Sequence, residues 1–453
     1  MAYSSSLVES DLQMSAAVKE FYSDRRLMWR NLIWLALLNA GLNACLGLVG
    51  PLMMLRMNSP AIGLGEGMIA SVSSINSFLV SFMVMYFSWK SDHTVSRWGR
   101  RIPFLWISAP PIILTVMLFP FSDCKWLLFA LWAVQILFMD IKSSTISLLP
   151  IDLAPRQVLA RVSSMQTIVI GIIAFLILRY GMKLADFSEW LPYILGGCLM
   201  LVTSSLSGLF IKEPPIRNPT TERFKPWSAL KVGLKDRRMI VLMVGVAMLN
   251  SFTVMYNMWI WLFARNVLNL TLTDMGAALA WAPLLGLIVA FPYAWLIDRV
   301  SPYRLLAVYL VLVILTGFGM RLVHNAAGLA LVSILWAGVN GLSGAAIMIV
   351  LRLAPREAVG SVSSSAAFIN NVYIGMIVFI SGFIIEHTGR NYHLVFFIGV
   401  ALSGIGYGIL LYYRWLMKPC AMAQITDEMN MDAMVNTEIE REISPAGSAT
   451  IVN

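Results

Sequence analysis

The chain has 453 residues, of which 58% are apolar and only 13% charged, with a mean hydropathy of +0.75. An average soluble domain carries roughly 25% charged residues, so too little polar surface remains here for a soluble protein, and a soluble enzyme is excluded. With 31 Gly, 19 Pro and 4 Cys it is no collagen or disulfide scaffold, and its net charge of +9 reads as loop lysine and arginine rather than a nucleic-acid surface.

In chain order, a polar N-terminal tail (1–30) lacks the apolar core of a cleaved signal peptide. Twelve apolar runs follow, each of about the 20 residues a bilayer-crossing helix needs. They lie near 31–55, 63–87, 102–121, 126–149, 160–182, 190–211, 240–263, 274–297, 303–322, 327–351, 361–385 and 393–413. Between runs 6 and 7 the connection 212–239 holds Pro214, Pro215, Pro219, Pro226 and eight basic residues. It reads as a linker between two six-helix bundles, 31–211 and 240–413, and its Pro226–Arg238 stretch as a basic surface helix. The tail 414–453 has no apolar period and is expected to be disordered.

Loop charge predicts orientation. The two tails and the even-numbered connections collect 25 Lys and Arg, against 7 on the other side. Both termini are therefore expected in the cytoplasm, and the chain in the plasma membrane. The four cysteines are scattered without metal-ligand spacing, Cys45 and Cys198 reading as core residues; the four histidines form no metal constellation either. No phosphate-binding loop or nucleophile–base pair stands out, so neither cofactor, metal nor enzyme activity is expected.

Residues 151–164 (IDLAPRQVLARVSS) and 351–364 (LRLAPREAVGSVSS) match at seven of fourteen positions, 200 residues apart, in the connections after spans 4 and 10. A weaker echo pairs Asp92 with Asp298. Two like-oriented halves imply a pseudo-twofold axis along the membrane normal, with the substrate held between them near mid-bilayer.

After span 2 the chain reads Ser88-Trp-Lys-Ser-Asp92-His-Thr-Val-Ser-Arg97-Trp-Gly99-Arg100-Arg101-Ile-Pro103-Phe104. This resembles the signature loop of the major facilitator superfamily, in the form found in glycoside–pentoside–hexuronide:cation symporters and the related sucrose–proton symporters. The run from Leu148 to Ser164 is similar to a second motif of the former. The resemblance implies an all-α membrane protein of twelve transmembrane helices in two pseudo-twofold-related bundles, working by alternating access. Ser88 departs from the glycine usual in the motif.

Asp92 ends a helix whose dipole disfavours an anion, so it needs a cation or another helix N-terminus. Arg97, Arg100 and Arg101 are the candidate cations, and the resemblance adds Ser361–Ser364 at the start of span 11. With Gly99, Asp298, Arg299, Arg156 and Arg356 these form an expected cytoplasmic gate.

Charges within a span are costly and usually functional. Asp140 and Lys142 qualify, both in span 4 and about 200° apart around it at 100° per residue. Each therefore needs a partner elsewhere, unless Lys142 snorkels inward. Met139-Asp140-Ile141 resembles the acidic span-4 position of melibiose-type permeases, which implies that Asp140 anchors sugar or carries the proton. Where that family has an aromatic residue and an arginine, this chain has Ser144 and Gln166. Span 2 (Ser71 to Ser77) lacks the sodium-site carboxylates, which favours protons over sodium.

Amides at helical spacing complete the expected site: Asn39 and Asn43 in span 1; Asn250 and Asn257, with Thr253, in span 7; Asn340 with Ser343 in span 10; Asn370 with Tyr373 in span 11. Neutral amides suit an uncharged polyol, though helix–helix bonding explains each one singly as well. Trp259, Trp261 and Trp281 suit either stacking on a sugar ring or an interfacial belt. The expectation is a monomeric, proton-coupled sugar or glycoside transporter. A non-transporting assembly or sensor protein of the same fold, and a uniporter of another solute, stay open.

Overall fold

The fold was taken from a computed structural model that describes residues 21, 24–94, 96–154, 159–214, 234, 237–353 and 359–415. The expected gate residues Arg156 and Arg356, most of the linker and nearly all of both tails lie outside these. Nothing is described of the side chains of Ser88, Asp92, Asp298, Arg299 and Ser361–Ser364.

The chain is an all-α membrane protein. Among the described residues, twelve helices are long and apolar enough to span a bilayer: Arg25–Met57, Glu66–Ser91, Ile102–Phe121, Lys125–Pro150, Met165–Phe187, Leu191–Phe210, Arg237–Asn266, Leu272–Val289, Tyr303–Leu322, Ala326–Ser343, Ser365–His387 and Tyr392–Trp415. They are called spans 1 to 12.

Local chemistry sets several boundaries. Asp24 caps span 1, its carboxylate accepting from the backbone of Arg26 (2.9 Å) and Leu27 (3.1 Å). This cap starts the helix before the apolar run that begins at residue 31. Pro103, Pro192 and Pro302 lie in the first turns of spans 3, 6 and 9, where a missing N–H costs nothing.

Two spans are broken near mid-membrane. Span 7 is two helices, Arg237–Leu249 and Ser251–Asn266, meeting at Asn250. Span 8 breaks at Ala280, between Leu272–Leu279 and Trp281–Arg299. A break frees backbone groups that need partners in a medium without water. At Asn250 the Leu249 carbonyl finds one in the Tyr309 hydroxyl (3.2 Å).

The longest contact between the halves runs span 2 along span 11. Gly382 lies against Ala70 and the Glu66 carbonyl, Gly375 against Ser74 and Phe78, and Phe82 meets Phe368 edge to face at 5.3 Å. A Cβ at Gly382 would stand 2.8 Å from the Glu66 carbonyl oxygen, so only glycine allows this approach. Cys45 is buried, but Cys198 is exposed and is not the core residue its apolar run suggested.

Candidate functional site

Span 4 presents three faces. Lys142, Met139 and Trp132 are buried toward their own bundle. Val134 lines an open apolar groove of about 850 Å³ between spans 3, 4 and 6, a membrane-facing surface that also includes Pro110, Ile113, Met117 and Leu209. Asp140 lies roughly 120° from Val134 and 160° from Lys142 at 100° per residue, on a third face with Ser144 and Ser147.

The Lys142 ammonium is completely buried and donates to the Leu105 carbonyl of span 3 at 3.2 Å, close to Cys45 of span 1. The lysine is therefore not snorkelled to the surface, and it lies on another face of span 4 than Asp140. The helix keeps it there because its position repeats with the buried Trp132, Gln135 and Met139 at helical spacing. Asp140 is half-buried and has no hydrogen-bond or ion-pair partner among the described residues.

The 200-residue repeat carries through to side-chain burial. Trp132, Met139 and Lys142 are buried in span 4, and Val332, Val339 and Leu342 at the same register in span 10. Asp140 therefore corresponds to Asn340, which is exposed, and Lys142 to an apolar leucine. The first half holds charge exactly where the second is neutral.

The other expected residues separate into partnered and unpartnered groups. Asn39 donates to Leu35 O (3.3 Å) and Asn43 to Asn39 O (2.9 Å), both within span 1. The Ser144 hydroxyl is taken by Ile141 O (2.9 Å), and that of Ser343 by Asn340 O (2.7 Å). Thr253 meets the Tyr309 hydroxyl at 3.0 Å, and Tyr373 the Ser251 hydroxyl at 2.6 Å. By contrast, Asn250 Oδ1 at the break of span 7 and Gln166 Nε2 of span 5 are buried without a partner. So is Nδ2 of Asn76, a span-2 residue not expected in the site. Asn257 is exposed and Asn370 half-buried. Trp259 is fully buried, its indole donating to Ser381 of span 11 at 2.8 Å, and Trp261 is buried too, so neither is a belt residue or a stacking platform; Trp281 is exposed.

On the face carrying the basic loops, the side chain of the expected acceptor Asp92 lies outside the described ones, but another carboxylate takes two of the arginines. Asp152, inside the repeat motif, pairs with both Arg100 and Arg101. Arg97 instead lies over the Trp98 ring, 5.0 Å from its centroid. Glu213, just beyond span 6, accepts from the backbone of Arg100 (2.8 Å), Arg101 (2.9 Å) and Ile102 (3.0 Å), and so caps span 3. Gly99 has φ +111° and a Cβ there would strike the Glu213 carboxylate, so glycine is required on both counts. Burial raises the Glu213 carboxyl above its ordinary value, with Asp152 adding to the rise, against the three backbone donors.

On the opposite face the halves bond to one another. Glu66, at the start of span 2 and 2% exposed, receives the Tyr392 hydroxyl (2.8 Å) and the Arg390 guanidinium (3.2 Å). Asn266 donates to both Asn58 Oδ1 and the Tyr392 hydroxyl, each at 2.9 Å. Glu386 accepts from Gly67 N at 3.0 Å, and Asp186 takes the Thr273 hydroxyl. None of these residues was singled out from the sequence. An acid such as Glu66 at a helix start is ordinary there, and a partner 326 residues away leaves no local signal.

A family model described as the Major Facilitator Superfamily matches residues 32–378. A comparison with curated protein sequences gives no match. Among solved structures the chain is similar to a variant of the nucleoside transporter NupG, with TM-score 0.66 and 12% identity, covering 84% of this chain and 99% of the other. It is also similar to a bacterial homolog of the human lysosomal transporter Spinster in an inward-facing and unoccupied conformation (0.62, 12%, 86% and 99%). A bacterial homologue of the iron transporter ferroportin in an inward-facing state is a third (0.63, 16%, 86% and 99%). At these identities the likeness is one of fold.

Proposed function

The chain belongs to the Major Facilitator Superfamily, and on that premise we propose that it is a secondary transporter moving a small uncharged polar solute, a sugar or glycoside, together with protons. Transport by this fold is alternating access about a site between the halves. The observation that carries the finer reading is Asp140. It is an intramembrane carboxylate without a partner among the described residues, on the face of span 4 turned away from its own bundle core, in register with Asn340 of the other half. A lone carboxylate in a membrane interior is a proton or ligand site by default.

The unpartnered amides of Asn76, Gln166 and Asn250 supply donors and acceptors but no charge, which suits hydroxyl groups. The absence of a carboxylate between Ser71 and Ser77 favours protons over sodium. Within the same reading the chain is a monomeric plasma-membrane protein with both termini in the cytoplasm and no enzymatic activity. Its bundles, 31–211 and 240–413, are joined by the basic linker 212–239.

A thermal-shift screen of the purified protein against mono- and disaccharides and nucleosides, at two pH values, tests this. A ligand-dependent rise that changes with pH and disappears in Asp140→Asn supports the reading. A shift by nucleosides alone moves the substrate class to that of NupG. A protein that answers no solute but copurifies with one membrane complex is instead an assembly or sensor protein.

A further inference from the structure

The polar bonds between halves for which the structure describes both partners gather toward the face opposite the basic loops: Asn58 to Asn266, Glu66 to Tyr392 and Arg390, Gly67 to Glu386, and Asp186 to Thr273. The Ser73 hydroxyl against the Met258 sulfur, 3.9 Å, lies deeper in the membrane. On the basic face the described bonds of Arg100, Arg101, Asp152 and Glu213 stay within the first half.

The central pair of bonds is reciprocal. Glu66 of the first half takes its donors from Arg390 and Tyr392 of the second. Glu386 of the second half takes its donor from Gly67 of the first. Neither carboxylate draws a described donor from its own half, so separating the halves here strips both at once. Glu66 is 2% exposed, and its bonds are charge-assisted in a water-poor setting, where such bonds are strongest. Gly382 against Ala70 brings the two helices into backbone contact beside them.

We infer that Glu66 and Tyr392 form the latch of a gate on this face, holding the transporter closed there, and that releasing it is the step that admits solute from that side. The inference rests on the alternating-access reading above and extends it to the regulation of access. Opening replaces the Tyr392 and Arg390 bonds of Glu66 with water, which hydrates both partners, so the latch is reversible. Asn58 and Asn266 align Tyr392: Asn266 donates to its hydroxyl, leaving the hydroxyl proton for Glu66.

The test uses the full chain in lipid nanodiscs, with Cys45, Cys124, Cys198 and Cys420 replaced by serine. Spin labels are placed at the exposed positions Ala61 and His324, one in each half on this face. The distance between them needs no substrate, so failure here is separable from failure of the substrate reading. The latched protein gives a short distance. Glu66→Gln with Tyr392→Phe is expected to raise the ratio of long to short distances about tenfold, since losing a charge-assisted bond of that kind is worth at least one such factor. A distance distribution unchanged in a folded double variant overturns the proposal. Where the double variant does not fold, Tyr392→Phe and Arg390→Ala singly carry the same comparison. In a second experiment Asn58→Cys and Asn266→Cys are joined by a short bifunctional thiol reagent. The link is expected to hold the short distance and abolish transport until it is cleaved; transport with the link intact overturns the latch.

Discussion

The buried ammonium of Lys142 is bonded to the backbone carbonyl of Leu105, within the first bundle and on another face of span 4 than Asp140. The lysine's counterpart in the second half is Leu342, equally buried. Loss of the ammonium leaves the Leu105 carbonyl its Ser108 hydroxyl donor (3.1 Å) and removes a buried charge, so an apolar side chain of similar length costs little, whereas a cavity costs more. Lys142→Met is expected to melt within about 1 kcal/mol of the parent, and Lys142→Ala at least about 2 kcal/mol below it. Thermal unfolding in detergent measures both, and a Lys142→Met protein that cannot transport would return this residue to the site.

The basic-face knot predicts an order. Arg101 has a side chain 5% exposed, Arg100 one of 25%, and both pair with Asp152, itself 9% exposed. Removing a member of a buried pair costs up to about 3 kcal/mol, most where it takes both bonds with it. Asp152→Asn, which loses both arginine bonds, is therefore expected to lose the most stability, Arg101→Gln less because Asp152 keeps Arg100, and the more exposed Arg100→Gln least. Equal losses for the two arginines would contradict the burial argument.

Glu213 gives a pH dependence with a definite sign. Its carboxyl is raised in the folded state, chiefly by burial, so the folded chain binds this proton more tightly than the unfolded one. The stability it contributes is present below the ordinary glutamate value of 4.5 and is lost as pH rises through the raised folded value. Melting temperature should fall across that window, and the slope should flatten in Glu213→Gln, whose amide oxygen still accepts from the start of span 3. An unchanged slope in the variant would assign the titration elsewhere.

Gly382 carries a steric prediction. A Cβ there meets Ala70 and the Glu66 carbonyl, so Gly382→Ala must push span 11 from span 2. Overpacking of this kind costs typically 1–3 kcal/mol. The cost falls on the closed state alone, so accessibility of the opposite face to a membrane-impermeant thiol reagent should increase. Ser73→Cys, half-buried against Met258 of the other half, reports it in the cysteine-free background.

The spans and the repeat were legible in the sequence because both are written locally, as apolar runs of bilayer length and as the LAPR and SVSS segments 200 residues apart. The same offset already placed Asp140 against Asn340, a correspondence that only the shared burial of Trp132 with Val332 and Met139 with Val339 made evident. What stayed hidden was partner choice. Nothing near Arg100 and Arg101 in the sequence shows that they reach Asp152, since that depends on how spans 3 and 4 meet. Glu213 looked like one residue of a linker, and Glu66 like an acid at a helix start. Both act through contacts more than 100 residues distant.

The central claim is that this chain drives a solute across the membrane through Asp140. Uptake of labelled sugars into proteoliposomes under an imposed pH gradient, in the parent and in Asp140→Asn, tests it most directly. The account predicts accumulation in the parent that follows the gradient, and in the variant no accumulation above equilibrium. Gradient-driven accumulation undiminished in Asp140→Asn, or no movement of any solute by the parent, would contradict it.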